Sequence, residues 1–190
     1  MHGLIFSTLE RFVVTTYGEG VWDAVTLEAE APTSTFEPML HYESSLLEAL
    51  IEATSITLGK SRTAILEDAG TFLIADTECV RYLLRFAGQT FRDFLLALDE
   101  LPERIRLAVP SLVLPPIGVV TRDDGGAEIY WDAGFNGGQQ FLAGVIRAMA
   151  DDYGALVTID APRAGPVRIS LHGAVLLSAT EHDISRSVAP

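Results

Sequence analysis

Four histidines and one cysteine are the imidazole and thiol side chains in this 190-residue chain that could ligate a metal or pair as base and nucleophile. They are His2, His41, His172, His182 and Cys79, and they lie far apart in sequence. None falls in an H-x-x-x-H spacing, which would place two imidazoles on one helix face. A lone cysteine builds neither an internal disulfide nor a cysteine-rich zinc site. Histidines this isolated ordinarily serve as surface or hydrogen-bonded residues. Cys79 stands where ECVRYLLRFAG begins a predicted helix, so it reads as a small buried hydrophobe. The other role for that position is a thiolate favoured by a helix N-terminus.

Two acidic pairs, Asp123-Asp124 and Asp151-Asp152, fall at a predicted turn and a predicted helix end, where solvated charges normally sit. The chain has no G-x-S-x-G, H-E-x-x-H or P-loop pattern, so no enzyme is expected. Net charge is −13 with pI about 4.6, which opposes nucleic-acid backbones and anionic membranes and suits a basic partner surface. The opening MHGLIFSTLERFVV carries Glu10 and Arg11 within its apolar pattern, unlike a signal peptide. No apolar run is long enough to span a bilayer, and the single cysteine fits a reducing cytoplasm.

The elements that must position these residues follow from periodicity. Leu4, Ile5, Leu9, Phe12 and Val13 form a helical stripe ended by Gly18. Further helices are predicted in VWDAVTLEAEA, in SSLLEALIEATSITLG with Ser44 or Ser45 as cap, in SRTAILEDAGTFLI, and in ECVRYLLRFAG up to Gly88. Thr90 caps a long helix, TFRDFLLALDELPERIRLAV, whose apolar face passes through Pro102. An interior proline costs about 3 kcal/mol, so a kinked helix is expected there. After Pro110 the pattern changes to two strands turning at Asp123–Gly126, a helix in GGQQFLAGVIRAMADDYG, and a second hairpin turning at Arg163–Pro166. Helices first and then β-β-α-β-β is an α+β architecture with a four-stranded antiparallel sheet. The expected organisation is one domain over 1–175, mainly helical to 88, with the long helix and the sheet lobe over 89–175 and a polar tail at 176–190.

Several stretches resemble the heme nitric oxide/oxygen-binding (H-NOX, HNOB) family. MHGLIFSTLERFVVTTYGEGVW looks like that family's start, with M-x-G, Tyr17-Gly18 and Trp22. Leu58-Gly59 falls where members end a helix, GQTFRDFLLALDEL is similar to the approach to the heme-binding helix, and VPSLVLPP resembles its exit. The resemblance covers roughly Met1 to Gly173. It implies a sensor with heme between a helical lobe and an α+β lobe, a histidine ligand on the long helix, a Y-x-S-x-R motif for the propionates, and relay to a histidine kinase or cyclase.

The chain departs from the family at both anchors. Where members have L-D-x-L-H, it has Leu98-Asp99-Glu100-Leu101-Pro102, and proline has no ring nitrogen to donate. Aligned from Tyr130, the second motif reads Tyr130-Trp131-Asp132-Ala133-Gly134; slid by one, it offers Ala133 and Phe135. Neither alignment supplies a guanidinium for carboxylates. Heme is therefore not expected as a cofactor; the alternative is a heme gas sensor with non-standard ligation, His41 or Cys79 being the candidate iron ligands. By resemblance the interlobe cavity would be lined by Ile5, Leu9, Leu98, Leu101, Pro102, Pro115, Tyr130, Phe141 and Val145. Such a wall suits a small apolar ligand. The expected function is a sensory domain that binds such a ligand or acts through a protein partner.

Overall fold

The computed structural model describes residues 1–123 and 125–174. The predicted tail at 176–190, with His182, lies outside the described residues, as does Asp124 of the first turn. Five helices come first: α1 (Gly3–Tyr17), α2 (Glu19–Glu28), α3 (Ser44–Leu58), α4 (Arg62–Asp76) and α5 (Glu78–Arg85). Then come α6 (Phe91–Leu96), α7 (Leu101–Ala108), β1 (Ile117–Thr121), β2 (Ala127–Trp131), α8 (Gly138–Tyr153), β3 (Ala155–Asp160) and β4 (Val167–Ala174). The strands pair antiparallel in the order β1-β2-β4-β3, and α8 connects the two hairpins. This is the expected α+β arrangement.

Local chemistry sets most boundaries. Ser61 accepts from the Ala64 amide and starts α4. Thr90 and Asp93 form a reciprocal capping box at α6. Gly59 and Gly154 end α3 and α8 in the left-handed region, at φ 61° and 65°, where glycine has no Cβ penalty. Two expected details are corrected. The α3 cap is Glu43 rather than either serine, without a side-chain bond, and α5 closes at Phe86 rather than at Gly88.

The largest correction concerns the expected long helix. The chain stops at Leu96, turns through 97–100, and restarts at Leu101, so there are two helices rather than one kinked helix. Pro102 is the second residue of α7. The first four amides of a helix have no intrahelical partner, so proline there sacrifices no bond. Leu98 and Leu101 are both buried, and the intervening turn carries the Leu101 amide onto the Leu98 carbonyl at 3.2 Å.

Two hydrophobic cores result. One is built from α1–α4 around Phe6, Phe12, Val25, Leu50 and Ile65. The other joins Leu84, Phe94, Leu98 and Leu101 to Ile129, Ile146, Met149, Val167 and Ile169. Leu84 of α5 belongs to the sheet-side core, and α4 serves both cores, with Ile65 and Ala69 in the first and Ile74 in the second. Phe141 on α8 packs against both.

Candidate functional site

The nine residues expected around the cavity separate into three groups. Ile5 and Leu9 pack in the helical core. Leu98, Leu101 and Val145 come together in the sheet-side core, each nearly closed to solvent. Phe141 touches both cores, and Pro102 and Pro115 are half-buried. Tyr130 is the exception and is corrected. It is 47 % exposed, and its hydroxyl donates to Glu128 Oε2 at 3.0 Å on the sheet's outer face. That hydrogen bond holds its phenol above the usual pKa range.

The reason lies in strand phase. Successive strand residues face opposite sides. Ala127 and Ile129 are buried, so Trp131 shares their inward side while Glu128 and Tyr130 point out. The alternation carries past the strand: Ala133 is buried and Phe135 half-buried, while Asp132 and Gly134 are exposed. The inward set at the motif is therefore Trp131, Ala133 and Phe135, the slid alignment rather than the one starting at Tyr130. Phe135 meets Phe141 at 6.4 Å between ring centroids, which brings this segment to the residue shared by both cores. The sequence signal was the buried-type Ile129, which fixes the phase of everything after it.

Trp131 was missed as a site residue. It lies opposite Ile117 in the β1–β2 register, two residues beyond Pro115, and packs against the sheet-side core. Its indole Nε1–H is shut off from solvent and has no hydrogen-bond partner. A buried unpaired donor costs about 1–3 kcal/mol. The other tryptophan, Trp22, donates to the Ser34 carbonyl at 2.7 Å.

The described histidines, Cys79 and Arg62 lie outside α6 and α7. His2 caps α1: its Nδ1 accepts from the Leu4 amide at 3.2 Å, so its Nε2 carries the proton and donates to Ser111 Oγ at 3.1 Å. Burial, and next the neighbouring His41 and the terminal ammonium, lower its pKa. His41 stands edge-on to His2 in a short antiparallel bridge, and His172 Nε2 lies 2.8 Å from Thr158 Oγ1. Cys79 is exposed rather than packed, which corrects the buried-hydrophobe expectation. No described histidine or cysteine lies on α6 or α7. Arg62 approaches the motif segment, with Nη2 2.8 Å from the Asn136 carbonyl, but it is held by Glu48 at 2.5 Å. Among the described residues no group of three or more His, Cys, Asp or Glu could hold a metal. Pro102 and the uncharged inward set do not fit a histidine-ligated heme with paired propionates.

A sequence model described as Haem-NO-binding, HNOB, matches residues 2–161. The chain belongs to this family. It is 22% identical over 182 residues to "Soluble guanylate cyclase 89Da" of Drosophila melanogaster, covering 90% of this chain and 27% of that protein. It is 25% identical over 154 residues to "Soluble guanylate cyclase gcy-31" of Caenorhabditis elegans, covering 80% and 22% respectively. The chain thus spans about a quarter of the length of these curated relatives. Among solved structures, the Fe(II) unliganded H-NOX protein from K. algicida superposes with TM-score 0.77 at 15% identity, covering 92% of this chain and 98% of that one. The S. oneidensis H-NOX protein in the Fe(II)NO ligation state gives 0.74 at 17% identity, covering 91% and 100%. The H-NOX fold is a sensor module rather than a catalytic one. No helix among the described residues is long and apolar enough to cross a membrane.

Proposed function

We propose that this chain is a sensory domain of the Haem-NO-binding family that works without a histidine-ligated heme. It responds to a small apolar ligand between its lobes, or to a protein contact, and passes its state to a separate signalling protein such as a histidine kinase or cyclase. The observation that carries this reading is Pro102. It occupies the second position of α7, where the family's iron ligand would stand, and it offers no nitrogen donor. The inward residues Trp131, Ala133 and Phe135 supply no cation for propionates, which supports the same reading.

The relation between the lobes supports a relay. They meet along α4 and α8, while α6 and α7 bring Phe94, Leu95 and Leu101 into the sheet-side core. A ligand seated against Leu98 and Leu101 would bear on α7 and on the loop that leaves it.

The test is titration with hemin, followed by the Soret band before and after addition of NO. We expect no sharp, stoichiometric, NO-responsive band. Such a band would establish the alternative, a gas sensor with unusual iron ligation. The double variant Pro102→His with Phe135→Arg places an imidazole and a guanidinium on the inward side. A Soret band gained by that variant would show that the family's pocket shape persists behind the lost anchors.

A further inference from the structure

The cleft between α2 and α3 brings apolar and acidic side chains together. We propose that it is a docking groove for a basic amphipathic helix of a partner protein, one whose apolar stripe is flanked by Lys or Arg. The inference rests on the protein-contact side of the reading above and gives that contact a place and a chemistry.

Three observations carry it. First, the cleft holds a cavity of about 300 Å3, lined on the α3 side by Ala49, Ala53 and Ile56. These stand at i, i+4 and i+7, one face of the helix. Ala53 is buried but Ile56 is 59 % exposed, so the stripe is only partly covered. Second, the charge is one-sided. Glu28, Glu30 and Glu52 line the same cavity, and all three are exposed. Among the described residues the Glu28 and Glu30 carboxylates have no ion pair or hydrogen bond, and Glu52 reaches only Arg62, at 3.9 Å. From Phe12 to Gly59 the chain carries eight Asp and Glu and no Lys or Arg, so no cation of α2 or α3 balances them. Third, the three carboxylates do not converge on one ion. Among the described residues no group of three or more His, Cys, Asp or Glu could hold a metal. Cations spread along the sides of a helix suit that spacing.

Those features select the occupant. A helix laid into an apolar groove anchors through residues at i, i+3, i+4 and i+7, and the alanines of α3 let it come close. Lys and Arg beside its apolar stripe would meet the unpaired carboxylates, which speeds encounter and excludes acidic partners. A second copy of this chain would bring its own net charge of −13 to an acidic cleft, and an anionic membrane would be repelled likewise. The place also bears on the relay. Glu52 shares Arg62 with Glu48, and Glu48 accepts from the Asn136 amide of the motif segment.

The experiment follows the fluorescence anisotropy of a labelled Lys–Leu peptide of about 18 residues, patterned as an amphipathic helix, against the intact chain. One control peptide carries Glu for Lys; another has the same composition in an order that breaks the apolar stripe. Saturable one-to-one binding is expected, at least about ten-fold tighter than either control and at least about ten-fold weaker in high salt. Glu28→Lys with Glu30→Lys should weaken it at least about ten-fold, and Ile56→Gln about five-fold. Asp99→Lys with Glu100→Lys makes the same charge change on the exposed turn before α7 and should shift it less than about two-fold. No saturable binding, equal binding of a control peptide, equal losses from the two charge reversals, or an unchanged affinity in Ile56→Gln would each overturn the proposal. Hemin is absent throughout, so failure here leaves the heme-free reading to its own Soret test, and a Soret band there leaves the groove standing.

Discussion

Gly144 of α8 lies directly on the Glu67 carbonyl of α4: a Cβ at Gly144 would come within 2.0 Å of that oxygen. Gly70 makes the reciprocal contact, its Cβ position being 2.1 Å from the Phe141 carbonyl. Backbone therefore meets backbone where the two lobes join. The same crossing brings Phe141 into both cores and sets its distance from Phe135.

Gly144→Ala should accordingly cost about 1–3 kcal/mol, because backbone cannot swing aside as a side chain can. Gly20→Ala is the control. A Cβ at Gly20 meets nothing within 4 Å inside α2, so that change should stabilise by about 0.4–1 kcal/mol. Urea midpoints of the two variants should move in opposite directions. A neutral Gly144→Ala would show that α4 and α8 separate freely.

His2 makes stability depend on pH. Burial first, then His41 and the terminal ammonium, lower its pKa below the usual 6.5. Between the folded and unfolded values the unfolded chain binds more protons, so its contribution is complete above 6.5 and is lost as pH falls below it. Protonation also places a hydrogen on Nδ1 against the Leu4 amide that it caps. Asparagine can cap the same amide without titrating. Denaturation at pH 7.5 and 5.0 should therefore show a larger loss for the native chain than for His2→Asn. Equal losses would place the pH response elsewhere.

Much of the architecture was legible in the sequence because period and capping agreed. The Thr90 cap, the Gly59 stop and the switch to β-β-α-β-β all hold in the structure. The break between α6 and α7 was not legible. Phe94, Leu98 and Leu101 stay in phase across a turn of 97–100, so hydrophobic period alone could not distinguish it from a kink. The site was half legible. Leu98, Leu101 and Val145 cluster, but Tyr130 was placed by motif alignment rather than by strand phase. The crossing of α4 and α8 left only two glycines as its trace, and a glycine inside a helix does not announce its neighbour.

Arg62 ties the motif segment to the helical lobe. It reaches the Asn136 carbonyl while Glu48 accepts from the Asn136 amide at 2.8 Å, a three-residue clasp across 88 positions of sequence. Arg62→Met should cost about 1–2 kcal/mol, the scale of charged hydrogen bonds at a half-buried site. It should also speed proteolytic cleavage within 132–137. Arg106→Met, which removes an exposed i,i+3 pair with Glu103, should cost less than about 0.5 kcal/mol and leave cleavage unchanged. Similar effects of the two variants would reduce the clasp to an ordinary surface pair.

Pro102 gives the sharpest test of the helix break. In a continuous helix its replacement by alanine would restore a bond and relieve a clash, stabilising the chain by about 3 kcal/mol. At the second position of α7 there is neither a bond to restore nor a clash to relieve. Alanine would instead enlarge the freedom of the unfolded chain, costing about 0.4–1 kcal/mol. The sign of the change under urea therefore separates the two geometries. A loss places Pro102 in the first turn of α7. A gain of several kcal/mol would restore the long helix and return Pro102 to its middle.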